Sequence, residues 1–268
     1  MSFFTNKVIL ITGGTDGIGK ALVNALMHQG AKVVTCGRNY DKLYDLQKTY
    51  AGKPLLALSA DVCNESDCQQ IVDTTINTYG KLDVLINNAG ISMRALFSET
   101  SLETLHKVMD TNFWGAVYCT KYALPYLTKE KGTMVGISSV AGYRGLPGRS
   151  GYSASKFALQ GWMEAIRTEL LDTGLNIMWV CPGFTRSNIR NVALNRDSQP
   201  QGETPLDESS LMSPEECAAH ILIAIEKRKR TLILTRQGKE TVLLNRFLPS
   251  FTDKMVHKFF FKDGVLVK

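Results

Sequence analysis

The 268-residue chain lacks paired cysteines, long apolar runs and a strong net charge, and each shortage excludes a class of protein. Its six cysteines form no Cys-x-x-Cys pair, and a chain of this size folds without disulfides, so we expect reduced thiols and a cytoplasmic location. No run of 18 or more apolar residues occurs, which excludes a predicted membrane-spanning helix. The net charge of +6 is spread along the chain, so no dense basic face for nucleic acid is expected.

The length and the apolar content indicate how many domains to expect. Hydrophobic residues make up 44% of the chain, which is enough for one sizeable core but, at this length, not for two full-sized enzyme domains. Residues 1–7 are too few before the first predicted strand to form a cleaved signal peptide. We expect a single domain over residues 1–240, with residues 241–268 as an extension that packs on the domain or at a subunit interface.

Short, continuous apolar runs alternate with longer amphipathic stretches along the chain. Continuous apolar runs are typical of strands that are buried on both faces of a parallel sheet. The pattern therefore predicts an α/β fold: a Rossmann-type, doubly wound parallel sheet of about seven strands with a C-terminal helical extension. The predicted strands are residues 8–11, 33–36, 55–58, 84–86, 134–137, 177–180 and 232–234.

One helix start is well marked near the C-terminal end of the predicted sheet. Ser213 precedes Pro214 and lies three residues before Glu216, which is the pattern of a capping box with proline at the first helical position. The helix is predicted to end in the basic residues 227–230, because positive charge in a last turn complements the helix dipole. This interpretation is preferred to a nucleic-acid patch.

Two stretches show no clear period. Residues 184–212 are polar and long, which favours a lid or binding loop. The tail from Leu243 to Phe261 interleaves apolar with basic residues. Such a tail could lie on a membrane surface, but stretches of this kind more often close over a core or a subunit interface, and Pro249 interrupts this one.

A glycine-rich turn, Thr12-Gly13-Gly14-Thr15-Asp16-Gly17-Ile18-Gly19, lies between the first predicted strand and the helix that follows it. Glycines at such a place permit a tight turn and let the backbone approach a pyrophosphate at the helix N-terminus. The spacing is Gly-x-x-x-Gly-x-Gly, which differs from the usual dinucleotide fingerprint. The position between a strand and a helix nevertheless favours a dinucleotide site.

The end of the second predicted strand bears on the choice of cofactor. An acid that binds the ribose 2′-hydroxyl is usual there, but this sequence reads Cys36-Gly37-Arg38-Asn39. Arg38 can pair with a 2′-phosphate through its guanidinium, which favours NADP(H) over NAD(H). Asp16 in the glycine-rich turn would repel that phosphate, and an exposed loop arginine is the alternative interpretation of Arg38.

Tyr152 and Lys156 lie four residues apart in Tyr-Ser-Ala-Ser-Lys, which opens a helical pattern and places both on one face. A free phenol has a pKa of about 10, and a neighbouring cation favours its ionised form. Ser139, at the end of a predicted strand, could hold a carbonyl or alkoxide oxygen by a hydrogen bond. Together with a nucleotide-binding turn, these residues predict proton transfer to or from a substrate oxygen.

In this order and spacing the motifs resemble the classical short-chain dehydrogenase/reductase family, over roughly residues 5–235. The resemblance rests on Thr-Gly-x-x-x-Gly-x-Gly at residues 12–19, Asn-Asn-Ala-Gly at residues 87–90, Ser139 with Tyr-x-x-x-Lys at residues 152–156, and Pro-Gly at residues 182–183. It implies an oxidoreductase that interconverts a carbonyl and a secondary alcohol by hydride transfer with NADP(H).

The resemblance implies a catalytic role for four residues. Tyr152 would be the general acid when a ketone is reduced and the general base when an alcohol is oxidised. Lys156 would lower the pKa of Tyr152 and hold the nicotinamide ribose, and Ser139 would orient the substrate oxygen. Asn112 matches a helix-kinking asparagine that supports a water-linked proton relay. No metal site is predicted.

The resemblance also implies a set of cofactor-binding residues. Asp61 and Val62 match the residues that contact adenine, and residues 88–90 would line the adenosine ribose. Ser187 stands where a threonine usually binds the nicotinamide carboxamide, and serine keeps the hydroxyl. The full set is Thr12, Gly13, Thr15, Gly17, Ile18, Gly19, Arg38, Asp61, Val62, Asn88, Ala89, Gly90, Tyr152, Lys156, Pro182, Gly183 and Ser187.

The expected partner is a small-molecule substrate, an apolar carbonyl or alcohol compound. In the family that the chain resembles, the pocket is built from residues 142–150 and from the lid after Pro182-Gly183. The side chains that suggest an apolar, bulky substrate are Tyr143, Leu146, Phe184, Ile189, Val192 and Leu194.

The same reasoning leaves two alternative functions open and predicts an oligomeric state. The tail could bring the reductase to a membrane-borne lipid or steroid ketone. A non-catalytic NADP(H)-binding sensor or scaffold is the other alternative, although the presence of all four catalytic residues argues against it. The resemblance implies a homodimer or homotetramer through the helix that carries Tyr152 and the long helix before it.

Overall fold

A computed structural model describes residues 2–204 and 207–267; residues 205–206 of the predicted lid lie outside the described residues. Within these ranges one sheet of seven parallel strands has the order β3-β2-β1-β4-β5-β6-β7, which confirms the predicted fold class. The strands are β1 Val8–Thr12, β2 Lys32–Gly37, β3 Leu55–Ser59, β4 Val84–Asn87, β5 Thr133–Ile137, β6 Asn176–Cys181 and β7 Thr231–Ile233.

Helices connect the strands and continue beyond β7. They are α1 Gly17–His28, α2 Tyr40–Thr49, α3 Glu65–Tyr79, α4 Leu102–Met109, α5 Gly115–Lys129, α6 Ser150–Glu169, α7 Pro214–Glu226, α8 Arg236–Phe247 and α9 Pro249–Phe260. A π-helical turn, Asp110–Trp114, joins α4 to α5, and a short antiparallel hairpin of β8 Phe261–Lys262 and β9 Val265–Leu266 follows α9. No helix in the described part of the chain is both long and apolar enough to span a bilayer.

The sheet is covered by helices on both faces, which explains why its strands are apolar without interruption. Ile9 and Ile11 of β1 pack in one core with α1, α2 and α7. Val8 and Leu10, which point the other way, pack in a second core with α3, α5 and α6. Since both faces exclude water, each strand position gains from an apolar side chain.

Helix α7 begins as predicted but ends earlier. The Ser213 hydroxyl accepts a hydrogen bond of 3.0 Å from the backbone N–H of Glu216. The helix stops at Glu226, so the prediction that residues 227–230 form its last turn was wrong. Arg228 has a positive φ of 47° and turns the chain toward β7. Its guanidinium donates to the carbonyls of Lys131 and Gly174, in the loops before β5 and β6.

The tail lies against the loop that follows β5. Arg144 pairs with Asp253 of α9 at 2.6 Å, and the side-chain amide of Asn245 donates to the Tyr143 carbonyl at 2.9 Å. The Leu266 side chain packs onto the backbone of that loop near its C-terminal end. These contacts place α8 and α9 beside the carboxyl edge of the sheet.

The order of the strands determines where that edge opens. From β1 the chain continues to β2 on one side, whereas β4 is hydrogen-bonded to β1 on the other side. The loops that follow β1 and β4 therefore diverge at the carboxyl ends of these strands. Such a switch point is where open α/β sheets bind their ligands.

Candidate active site

A cavity of about 700 Å³ follows the carboxyl edge of the sheet. It extends from the glycine-rich turn after β1 to α8 and α9, and the loops after β2, β3, β4, β5 and β6 line it between. Every predicted catalytic or cofactor-binding residue contributes to its lining except Thr12 and Asn112. The topology thus brings together residues that are far apart in sequence.

The glycine-rich turn passes close beneath the first turn of α1. Gly13 has a φ of 69°, a conformation that side chains other than glycine rarely adopt. A Cβ atom on Gly19 would lie 2.2 Å from the Gly13 carbonyl oxygen and 2.5 Å from the side-chain amide of Asn88. Glycine at these positions lets the helix N-terminus reach the cavity, where its partial positive charge suits a phosphate.

Thr12 lies under the turn rather than on the cavity wall. Its hydroxyl oxygen accepts hydrogen bonds of 3.0 Å from the backbone N–H groups of both Asn88 and Ala89. The Asn88 side-chain amide in turn donates to the carbonyls of Thr12 and Gly13 at 2.9 and 3.0 Å. These bonds fasten the turn to the loop after β4, so Thr12 supports the shape of the site from below.

Asp16 is engaged by protein groups. It is the N-cap of α1, and its carboxylate accepts from the backbone N–H of Gly17 at 2.8 Å and from Lys42 at 2.5 Å. Burial alone would raise the pKa of Asp16, but the hydrogen bonds and the charge of Lys42 bring it below its ordinary value. The negative charge of Asp16, which would repel a phosphate, is therefore paired with the ammonium group of Lys42.

Arg38 extends from the end of β2 along the rim of the cavity. Its side chain is 66% exposed, and its guanidinium is 3.5 Å from the carboxylate of Asp61. Asp61 also accepts from the backbone N–H of Cys63 at 3.0 Å. This long, exposed ion pair directs Arg38, and in the part of the chain that the structure describes the other guanidinium N–H groups have no acceptor.

Ser139 and Tyr152 meet at the far end of the cavity. The Ser139 oxygen accepts a 3.1 Å hydrogen bond from the backbone N–H of Ala141 in a 3₁₀ turn, so its own O–H remains available to donate. Burial raises the pKa of Tyr152 above its ordinary value, while hydrogen bonding with Ser139 and the positive charges of Arg149 and Arg190 act in the opposite direction.

Lys156 is buried one helical turn after Tyr152. Its ammonium donates to the Ile137 carbonyl at 2.9 Å and lies 5.6 Å from the centre of the Tyr152 ring. Burial lowers the pKa of Lys156 to about 8. In the structure the positive charges that lower the pKa of Tyr152 are those of Arg149 and Arg190. That Lys156 also lowers the pKa of Tyr152 stays a prediction.

Asn112 occupies the π-helical turn between α4 and α5, where a kink was predicted. Its amide oxygen accepts from the Ile91 backbone N–H at 2.8 Å, and its NH₂ group donates to the Ile91 carbonyl and to the Ser155 hydroxyl, each at 2.9 Å. Ser155 donates to the Tyr152 carbonyl at 2.7 Å. Asn112 therefore braces the loop after β4 against the helix of Tyr152; its part in a water relay stays a prediction.

Sequence reasoning missed two supporting residues. Ser155 links Asn112 to the backbone of Tyr152, as described above. Gln160 donates to the Ser138 hydroxyl at 2.7 Å and reaches the Ser139 carbonyl at 3.4 Å. The signal was present in the sequence, because Gln160 follows Lys156 by four residues and so extends the same helix face.

The substrate end of the cavity is partly as predicted. Leu146, Phe184, Ile189 and Val192 line it, whereas Tyr143 and Leu194 do not. The Tyr143 hydroxyl accepts a 3.0 Å hydrogen bond from the Trp179 indole N–H instead, and Leu194 forms a bridge with Met93.

The tail helices close the cavity opposite the lid. Phe184 of the lid stacks on Phe259 of α9, with ring centres 6.4 Å apart. The residues of α8 and α9 that contribute to the wall are Gln237, Gly238, Glu240, Thr241, Leu244, Met255, Val256, Phe259 and Phe260.

Comparisons with known proteins identify the family of this chain and find the same fold in solved structures. A family model described as short chain dehydrogenase matches residues 7–197. The 11-beta-hydroxysteroid dehydrogenase A of Arachis hypogaea is 34% identical over 260 residues, which are 92% of this chain and 73% of the relative.

Two solved structures share the fold at lower identity. A short chain dehydrogenase/reductase from Burkholderia phymatum, in complex with NAD, has a TM-score of 0.81 at 23% identity, over 94% of this chain and 96% of its own. An alcohol dehydrogenase from the archaeon Thermococcus sibiricus, complexed with 5-hydroxy-NADP, has a TM-score of 0.74 at 23% identity, over 85% of this chain and 95% of its own.

Proposed function

The chain belongs to the short-chain dehydrogenase/reductase family of oxidoreductases, and from that premise we propose that it interconverts a carbonyl and a secondary alcohol with NADP(H), using Tyr152 as general acid and base. One observation carries the proposal. A single cavity is lined at one end by a glycine-rich turn and a helix N-terminus, and at the other by Ser139, Tyr152 and Lys156. A nucleotide site and an acid–base site thus share one space.

The residues at the first end fit a dinucleotide cofactor. The first turn of α1 lies so close to the backbone of the glycine-rich turn that a Cβ atom on Gly19 would collide with that backbone. The N-terminus of α1 faces the cavity. Residues 13–19 would hold the pyrophosphate, Asp61 and Val62 the adenosine, and Lys156 and Ser187 the nicotinamide half. When bound, the nicotinamide supplies or accepts the hydride.

Arg38 supports the preference for NADP(H). It lines the adenosine end of the cavity and keeps donor groups available beside its ion pair with Asp61. Lys42 neutralises Asp16, which removes the objection that the sequence raised against a 2′-phosphate. The two solved neighbours hold NAD in one case and 5-hydroxy-NADP in the other, so the preference depends on Arg38 and not on the fold.

The proton step follows from the surroundings of Tyr152. Because burial raises its pKa, the phenol is protonated near neutral pH and can donate its proton to a carbonyl oxygen. The Ser139 hydroxyl donates a hydrogen bond to the same oxygen and so orients it. The positive charges of Arg149 and Arg190 stabilise the phenolate that remains, and the reverse steps apply when an alcohol is oxidised.

The test is NADPH consumption by purified protein against a panel of ketones, aldehydes, steroids and 3-oxoacyl thioesters. Tyr152→Phe is expected to lose at least about 100-fold of the rate on any active substrate, since general acid catalysis contributes on that order. Tyr122→Phe is the matched control, because that hydroxyl bonds Glu65 at the surface. A Tyr152→Phe protein that turns over at the wild-type rate would refute the assignment and favour the sensor or scaffold alternative.

A specific observation favours one second candidate, reduction of a lipid or steroid ketone at a membrane surface. Around the junction of α8 and α9, Leu243, Phe247, Leu248 and Phe251 are each more than half exposed. Phe247→Ser with Phe251→Ser is expected to reduce co-sedimentation with vesicles of phosphatidylcholine and phosphatidylserine. Equal sedimentation of this double variant and the wild type would exclude the membrane candidate.

The proposed assembly is a homodimer or homotetramer through α5 and α6. Exposed Phe157 on α6 and exposed Trp114 just before α5 provide apolar surface for that contact. Light scattering on the purified protein tests this proposal, and a monomer at micromolar concentration would refute it. A cytoplasmic location is proposed with it, consistent with six free cysteines.

A further inference from the structure

Arg149 is a buried cation at the substrate end of the cavity. It is the residue before α6, three positions ahead of Tyr152, and it lines the same cavity. Only 8% of the residue is exposed. A guanidinium placed this deep is expected to have a carboxylate partner, because removing its charge from water is strongly unfavourable.

No such partner exists among the described residues. The backbone of Arg149 is satisfied, since its N–H donates to Leu146 and its carbonyl accepts from Ser153. Its side chain has no hydrogen bond or ion pair within residues 2–204 and 207–267, and its Nε atom is fully buried without an acceptor.

Two neighbouring arginines make the contrast clear. Arg190 forms a two-pronged ion pair with Glu208 at 2.6 and 2.7 Å, and Arg94 pairs with Glu203 at 3.3 Å. Both cations are close enough to Arg149 to lower its pKa further, after the main lowering by burial. Of these three arginines, Arg149 alone has no carboxylate partner among the described residues, and it lines the cavity.

We propose that Arg149 binds a carboxylate of the substrate, so that the enzyme acts on an oxo acid or the corresponding hydroxy acid; this rests on the proposed reductase function. One guanidinium without a carboxylate partner among the described residues suits a monoanion, and its planar shape matches the geometry of a carboxylate. Apolar side chains, among them Leu146, Phe184 and Val192, also line this end. The substrate therefore combines an apolar body with one carboxylate.

A different role for Arg149 predicts different kinetics. If its charge only lowered the pKa of Tyr152, its removal would slow charged and neutral ketones equally and would shift the pH profile of kcat for both. Carboxylate binding instead predicts an additional loss for acids, beyond any loss shared with neutral ketones, and this additional loss is carried mainly by KM. Pairs of substrates that differ only in charge separate the two roles.

The experiment compares three oxo acids with their primary amides: phenylglyoxylate, 4-oxo-4-phenylbutanoate and 4-acetylbenzoate. These place the carboxylate at increasing distances from the carbonyl. For at least one pair, kcat/KM of the wild type is expected to favour the acid by about 10- to 100-fold, the usual strength of a charge-assisted hydrogen bond. Arg149→Met should reduce that ratio to about one, and Arg149→Lys should restore part of it.

Lys129→Met is the matched control for loss of a positive charge, because Lys129 is exposed at the end of α5. The melting temperature and NADPH affinity of each variant establish that it is folded. If the wild type turns the probes over, but turns acids over no better than amides in every pair, the proposal is overturned. An acid preference that survives in Arg149→Met would overturn it equally.

Calorimetric titration of the same acids and amides into the protein with NADPH separates this inference from the reductase function. If no probe is turned over, but an acid binds the wild type and binds Arg149→Met at least about ten-fold more weakly, the carboxylate site stands, and the reductase assignment is decided separately by the wider substrate panel with Tyr152→Phe. If acids and amides bind alike, or neither binds, the carboxylate site is refuted.

Discussion

The close approach of α1 to the glycine-rich turn predicts a sharp effect of one methyl group at Gly19. In Gly19→Ala the added carbon would lie 2.2 Å from the Gly13 carbonyl oxygen and 2.5 Å from the Asn88 amide, both far inside van der Waals contact. Neither neighbour can move freely, because the Asn88 amide is itself bonded to the carbonyls of Thr12 and Gly13.

The magnitude follows from two opposing effects. Inserting a methyl group into a packed site costs about 1–3 kcal/mol. Replacing glycine by alanine inside a helix stabilises by about 1 kcal/mol. We therefore expect Gly19→Ala to lower the free energy of unfolding by up to about 2 kcal/mol, and to weaken NADPH binding about ten-fold or more as the turn shifts.

Gly161→Ala provides a matched control. This glycine lies in α6, is exposed, and has open space within 4 Å of the position of a Cβ atom. The substitution should stabilise the protein by up to about 1 kcal/mol and leave NADPH affinity unchanged. The assays are urea unfolding and fluorescence titration with NADPH. Equal NADPH affinity in Gly19→Ala and wild type would refute the reasoning about the turn.

Three further predictions concern the cofactor end and the acid–base end of the site. Arg38→Gln should reduce the ratio of NADPH to NADH affinity about 10- to 100-fold in fluorescence titrations, because a charged partner of the 2′-phosphate is lost; an unchanged ratio would show that Arg38 is only an exposed loop residue. The pKa of Lys156 is lowered to about 8 in the folded protein, so between pH 8 and 9.5 the unfolded chain binds more protons at this residue than the folded one does. The free energy of unfolding therefore gains a contribution from Lys156 that rises with pH, by at most about 1.4 kcal/mol per pH unit. Urea unfolding over this range should show that contribution as a slope difference from Lys156→Met, and equal slopes would contradict it. Thr12→Val should cost about 1–3 kcal/mol of unfolding free energy, because the N–H groups of Asn88 and Ala89 lose their acceptor; thermal unfolding measures it, and an unchanged melting temperature would contradict a supporting role.

The sheet could be predicted because the burial of its strands on both faces is reflected in their continuously apolar composition. A run such as Val8–Ile11 is apolar at every position only if both faces are buried, and the two cores on either side of β1 are the result. The glycine-rich turn and the Tyr152–Lys156 pair could be found for a similar reason. Each is a local pattern whose spacing reflects a turn or a helix face.

What escaped prediction depends on contacts between distant segments. The basic residues after α7 were assigned to its last turn, but the carbonyls that Arg228 binds belong to two loops elsewhere in the chain. The position of Thr12 under the turn depends on the loop after β4, 76 residues away. That Arg149 has no carboxylate partner within residues 2–204 and 207–267 is visible only when the surroundings of its side chain are known.

The tail wall of the cavity has a consequence for how such an enzyme can diversify. Hydrogen bonds from β5, α6 and the π-helical turn hold the acid–base residues in place. Helices α8 and α9 form another wall of the cavity, and among the described residues they make no hydrogen bond to the groups that hold Tyr152 and Lys156. Substitutions at Leu244, Met255 or Phe259 can therefore accumulate and reshape the compartment for a new substrate while the proton-transfer machinery is inherited unchanged.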